Sequence, residues 1–214
     1  MIQECIRRYP ALEVCKKEIE AAAEMLVQSF RAGGKLLVCG NGGSCSDSGH
    51  IAGELLKGFY GLRPLSYEKQ QEFRKKYGEE GAYIASKLQG SLPVISIPDQ
   101  TAILTAFNND VDASLGYAQL VYGYAKMEDV FLGISTSGNS KNVLQAARTA
   151  AICGAKTIGL TGKNKCALDD VCDIVIHVPE TVTAYVQELH LPVYHALCAY
   201  VEEQFWPNKA DEEE

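Results

Sequence analysis

The chain has 214 residues, enough for one ordinary domain or two small ones. Apolar residues make up 47% and charged residues 22%, which excludes a disordered polymer. At this size folding hides about 70% of the unfolded surface, so no disulfide or metal staple is required. Twenty Lys and Arg against 27 Asp and Glu give a net charge of −7, which argues against a general nucleic-acid binder.

The first residues, Met1-Ile2-Gln3-Glu4-Cys5-Ile6-Arg7-Arg8, lack the apolar centre of a signal peptide, and no apolar run approaches a bilayer span. A cytoplasmic location without membrane contact is expected. There the eight cysteines read as reduced thiols, most of them core residues. None form a Cys-x-x-Cys pair, so thiolate metal binding is not expected.

Residues 11–32 place Leu12, Cys15, Ile19, Ala22, Ala23, Leu26, Val27 and Phe30 at helical spacing, ended by Gly33-Gly34. This reads as an additional N-terminal helix whose apolar stripe exceeds what a sheet can cover, so a homo-oligomer is expected. A buried strand follows at 35–39, then Gly40-Asn41-Gly42-Gly43-Ser44, then a helix over about 45–56. Residues 61–91 break the rhythm, with six cations against four carboxylates, three tyrosines and little continuous core. They read as a helical insertion, either a plain surface excursion or a lid or subunit contact.

Apolar bursts recur at 92–97, 130–134, 157–160 and 173–178. Helical patterns near 101–107, 111–126, 140–153 and 181–205 separate or follow them. Continuous apolar strands alternating with helices predict an α/β fold, a five-stranded parallel doubly wound sheet of flavodoxin-like type. It forms a single domain over 1–209, and Asp211-Glu212-Glu213-Glu214 belong to an acidic tail at 210–214.

Ligands of such sheets sit beyond the carboxyl ends of the strands. Two of those ends carry small-residue loops that open onto helices: Asn41, Gly42, Gly43 and Ser44, and Ser135-Thr136-Ser137-Gly138-Asn139-Ser140. Backbone N–H groups and hydroxyls there suit an anion, although Ser, Thr and Asn also favour such places as plain N-caps. Neither loop is a Walker or dinucleotide motif, and a serine loop without lysine suits a sugar monophosphate. His50 and Glu54 share one helix face, and Gln187 and His195, eight apart, share another, whereas Glu188 and His190 point elsewhere. Two His, a Glu and a Gln bordering one cleft could hold Zn²⁺ or divide acid and base roles.

Lys35 through Glu54, Asn109-Asp110, Leu132 through Ser140, Gly159-Leu160-Thr161-Gly162 and Val186-Gln187-Glu188-Leu189-His190 through His195 resemble the sedoheptulose 7-phosphate isomerase (phosphoheptose isomerase) family. That family lies within the SIS, or sugar isomerase, superfamily, and the resemblance leaves out residues 61–91. It implies a homotetramer with sites between subunits, each holding one zinc. Carried over, Glu54 is the general base and His195 its acid/base partner. His50, Glu54, Gln187 and His195 are the zinc ligands. Ser44, Ser135, Thr136, Ser137 and Ser140 bind phosphate, with Asn41, Asp110 and Gln187 beside the sugar.

The family's arginine after the base is missing, and Lys57 or Arg63 would have to replace it. The activity implied is conversion of sedoheptulose 7-phosphate to a heptose 7-phosphate through an enediol. The competing expectation is a non-catalytic SIS protein that binds a sugar phosphate or associates with a replication initiator.

Overall fold

The apolar runs after Gly34 pair as one parallel sheet of five strands in the order β2-β1-β3-β4-β5. These are β1 (Leu36–Gly40), β2 (Val94–Ser96), β3 (Val130–Ile134), β4 (Lys156–Thr161) and β5 (Ile174–His177). The computed structural model describes residues 1–207, so the acidic tail expected at 210–214 lies outside the described residues.

Along β1 the side chains alternate between two cores, Leu36 and Val38 to one, Leu37 and Cys39 to the other. A strand buried on both faces has no solvent side, so it reads as an unbroken apolar run rather than an alternation. Helices α1 (Ile2–Arg8), α2 (Lys16–Arg31), α3 (Gly43–Leu56) and α8 (Thr183–Phe205) cover the first core. Helices α6 (Gly116–Tyr124) and α7 (Lys141–Ile152) cover the second. The doubly wound α/β expectation holds.

The N-terminal region differs from the expectation in two ways. Residues Pro10–Cys15 are a 3₁₀ turn leading into α2, and a separate helix, α1, precedes it. The stripe Leu12, Ile19, Ala22, Ala23 and Leu26 is buried within the chain against α8 and β5, so it demands no second copy. The sheet alone could not cover it, but the long α8 does.

Exposed apolar side chains occur along the whole chain, and several cluster in the 61–91 segment. Helix α4 (Tyr67–Lys87) stands between α3 and β2, buries only Gly81 and Ala85, and exposes Tyr67, Tyr77 and Tyr83. It breaks at Gly78, whose φ of 61° is a left-handed value that favours glycine. A Cβ at Gly81 would collide with the Phe73 carbonyl, so the two halves fold against each other. Helix α5 (Thr101–Phe107) runs into a π turn at Asn108–Asp112, which takes the start of the helix expected over 111–126. Among the described residues no helix is long and apolar enough to cross a membrane.

Candidate active site

Strand β1 pairs with β2 on one side and β3 on the other, which puts the switch in strand order between β1 and β3. Gly40 is in register with Ile134, so both small-residue loops leave the sheet at this point. In the first loop Gly42 has a φ of 58° and caps α3. A Cβ on Gly43 would collide with the side-chain amide of Gln187, so the Gln187 side chain packs directly on the Gly43 backbone.

The Asn41 side chain is clamped from two directions. It exchanges hydrogen bonds of 2.8 and 2.9 Å with the Asn142 amide at the start of α7. The Tyr117 hydroxyl of α6 donates to the Gly40 carbonyl at 2.9 Å and to Asn41 Oδ1 at 3.3 Å. The first loop is thus tied to the start of α7 and to α6 by side chains that spacing does not single out. Asn142 carries a signal, since it ends the Ser-Gly-Asn-Ser-Lys-Asn run, but Tyr117 carries none.

In the second loop the hydroxyls of Ser135 and Ser140 are 3.0 Å apart, and Ser135 is buried. Gly138 has a φ of 65° and lies against Cys166. Asn139 Oδ1 accepts from the Ala167 N–H at 2.9 Å, tying the loop to the segment after β4. Thr136, Ser137 and Asn139 line a cavity of about 290 Å³ together with Lys163, Lys165 and Glu180. The two lysines give the serine loop nearby cations that its own sequence lacks. Asp110 sits in the exposed π turn, where it accepts from Asn109 Nδ2 at 2.8 Å. No hydrogen bond among the described residues joins it to either loop.

Helices α3 and α8 run side by side from this point. His50 Nε2 is 3.2 Å from Glu54 Oε1, and its Nδ1 is 2.9 Å from the Tyr194 hydroxyl. That hydroxyl donates to Asp47 Oδ1 at 3.3 Å. The His195 ring meets the His50 ring edge-on, with centroids 5.0 Å apart, and Phe59 packs against it at 5.3 Å. His50, Glu54 and His195 are therefore brought together. Gln187 is not, because eight residues of helix rise about 12 Å; it faces α3 as expected, but at the Gly43 end.

Burial pushes the Asp47 carboxyl up, opposed by the Tyr194 hydroxyl and His50. Burial also lowers His195, the nearby His50 adds to this, and Glu54 opposes it. His190, expected on another face, is fully buried, and burial lowers its pKa to about 4.

Arg63 does not supply the missing substrate arginine. It is fully buried and paired with Glu202 at 2.8 Å, so it cannot reach the cleft. Lys57 remains available: it is largely exposed, with Nζ 3.3 Å from Glu54 Oε2.

The zinc implied by the resemblance can be weighed against the donors. His50, Glu54 and His195 offer suitable N and O atoms, and His195 Nε2 is buried without a hydrogen-bond partner among the described residues. Yet no three His, Cys, Asp or Glu side chains among them are grouped to hold a metal ion, and Gln187 is at the other end of the cleft. As placed in one chain, the four residues do not form a closed site.

Serine and glycine loops at the switch point of a 2-1-3-4-5 parallel sheet are the architecture of a SIS domain, and that family matches residues 5–76 and 82–162. The match continues through the 61–91 segment, which the resemblance leaves out, and breaks only around Gly78. Phosphoheptose isomerase of a Nitratiruptor species is 36% identical over 193 residues, 90% of this chain and 89% of that protein. The enzyme of the same name from Rhodospirillum rubrum is 36% identical over 189 residues, 88% of this chain and 87% of its own. Solved phosphoheptose isomerases from Neisseria gonorrhoeae and Francisella tularensis superpose with TM-scores of 0.73 and 0.75 at 28% and 29% identity, covering 94% of both chains in each case. The chain belongs to the phosphoheptose isomerase family of sugar-phosphate isomerases.

Proposed function

We propose that the chain converts sedoheptulose 7-phosphate to the corresponding heptose 7-phosphate through an enediol. The observation that carries this reading is the distance between the anion-binding loops and the ionisable cluster. Seven residues of α3 separate Gly43 from His50, about 10 Å of helix. A chain extended at about 1.2 Å per bond spans a similar length over the eight bonds from phosphorus to C1 of a heptulose 7-phosphate. A phosphate held at the loops leaves C1 and C2 beside Glu54 and His195.

In this reading Ser44, Ser135, Thr136, Ser137 and Ser140 hold the phosphate, and Asn41, fixed by Asn142 and Tyr117, contacts the sugar chain. Gln187 and Asp110 belong to the sugar contacts. Glu54 removes a proton from C1 of the ketose, and electrons move to O2 to give the enediol. His195 passes the proton between O1 and O2, and return of a proton to C2 yields the aldose. Lys57, with Nζ 3.3 Å from Glu54 Oε2, is an exposed cation beside the reacting end.

Zinc on His50, Glu54, Gln187 and His195 belongs to the same reading as an expectation. Because these donors do not close around one point in the chain, no step is assigned to it. A homotetramer is likewise part of the proposal. The test is incubation with sedoheptulose 7-phosphate in deuterium oxide, followed by NMR. Conversion with deuterium at the carbon next to the carbonyl is expected. Tight binding with neither conversion nor exchange would instead support the non-catalytic reading.

A further inference from the structure

The two residues assigned to proton transfer sit on different helices, and the phosphate loops do not fix the distance between them. A single buried carboxylate touches the supports of both. Glu202 of α8, its side chain 5% exposed, accepts three hydrogen bonds. Its Oε1 receives the Phe59 N–H at 2.8 Å and Arg63 Nε at 2.8 Å, and its Oε2 receives the Tyr60 N–H at 2.7 Å.

Arg63 extends the contact to the base. Its Nη1 donates to the Leu55 carbonyl at 2.7 Å and its Nη2 to the Glu54 carbonyl at 3.1 Å. These are carbonyls of the last turn of α3, which the helix itself leaves unpaired. A cation at a helix carboxyl end also complements the helix dipole. The guanidinium is closed off by the Trp206 ring, 4.6 Å from its centroid. Phe59 extends the contact to the acid, since its ring packs on the His195 imidazole.

We propose that Glu202 is a positioning residue for the isomerisation: through Arg63 it fixes the end of α3 that carries Glu54, and through Phe59 the ring of His195. This rests on the reading of Glu54 and His195 given above. A merely structural role is the alternative. The two differ because a buried ion pair can often be exchanged for apolar side chains of similar volume without loss of stability. Such an exchange keeps the fold but loses the cap on Leu55 and Glu54 and the grip on the Phe59 and Tyr60 amides. A displacement of about 1 Å at reacting groups can cost about 10²-fold in rate.

The experiment compares Arg63→Met/Glu202→Met with wild type by thermal unfolding and by steady-state kinetics on sedoheptulose 7-phosphate. The expected result is a melting midpoint close to wild type, kcat lowered at least about 10-fold, and KM within about 2-fold because the phosphate loops are untouched. Glu202→Asp, which keeps the charge but withdraws it by one methylene, is expected to show the same split between kcat and KM. A folded double variant with wild-type kcat overturns the proposal. If the double variant and Glu202→Asp both fail to fold, the pair is a folding determinant and the proposal is likewise overturned. Glu54→Gln is assayed in parallel. Full turnover there removes the reading of Glu54 itself, whereas an inactive Glu54→Gln beside a fully active double variant removes only the role of Glu202.

Discussion

The side-chain amide of Gln187 occupies the space that a Cβ on Gly43 would need, which couples the start of α8 to the loop after β1. Gly43→Ala must therefore move Gln187 or the loop. The expected outcome is an affinity for sedoheptulose 7-phosphate weaker by about 10-fold, equivalent to about 1.4 kcal/mol. Little change in melting midpoint is expected, since the collision can be relieved at the mouth of the cleft. Calorimetric titration checks this, and unchanged affinity would place the sugar phosphate away from Gly43.

Ser137 and Ser140 differ in their surroundings, which allows two graded tests. Ser140 shares a hydrogen bond with buried Ser135, whereas Ser137 is exposed and accepts from the Asn139 N–H at 3.2 Å. Under the proposed phosphate site, replacing either with Ala removes a donor to a charged group, worth about 1.5–3 kcal/mol of binding each. The variants should remain folded. Wild-type affinity in both would place the phosphate away from the serine loop.

His190 sets an acid limit on stability. Burial keeps the folded-state pKa at about 4, below the ordinary 6.5. The unfolded chain therefore takes up the proton first as pH falls. Stability is undiminished above pH 6.5 and declines between there and about 4, by roughly 2 to 3 kcal/mol. Urea midpoints at pH 7 and pH 4.5 should diverge in wild type and converge in His190→Leu. The same slope in both proteins would count against this assignment.

The proposed homotetramer needs a surface other than the α2 stripe, which α8 and β5 cover. Helix α4 presents Tyr67, Tyr77 and Tyr83 to solvent, with Leu62 exposed just before it. Light scattering at micromolar concentration should give a tetramer, and Tyr77→Glu with Tyr83→Glu should shift the mass downward. A wild-type monomer would remove the shared-site part of the proposal.

Which features are legible in sequence follows from how local they are. The strands are readable because burial on both faces leaves each as an apolar run, and the loops because small residues and hydroxyls cluster in sequence. Helix α1 is not, since seven residues burying Ile2, Cys5 and Ile6 are too short for a clear period. Helical spacing gives a shared direction for Gln187 and His195, and the same eight-residue spacing implies about 12 Å of axial rise, which grouping the two around one point overlooks. Arg63 reads as a candidate substrate contact because a cation after the base is ambiguous in sequence. Its true partner, Glu202, lies 139 residues away. Asp47, Tyr117, Asn142 and Tyr194 share that difficulty: each acts through a neighbour that only the fold supplies.

Glu54→Gln keeps the size of the side chain and its contact with His50, yet removes the carboxylate to which the proposal assigns the carbon-bound proton. Turnover should fall by at least about 10²-fold, the low end for a positioned general base. Affinity should change little, because the phosphate loops sit at the other end of α3. His195→Gln should also slow turnover, and the combined variant should be no worse than the slower single one, since both groups serve one proton-transfer sequence. Metal content must be measured on each protein by elemental analysis, because Glu54 and His195 are also the expected zinc ligands. Solvent deuterium exchange at the substrate carbon then decides the matter. Wild-type exchange in a Glu54→Gln protein of unchanged metal content would transfer the base role to another residue, with His195 the nearest candidate on the facing helix.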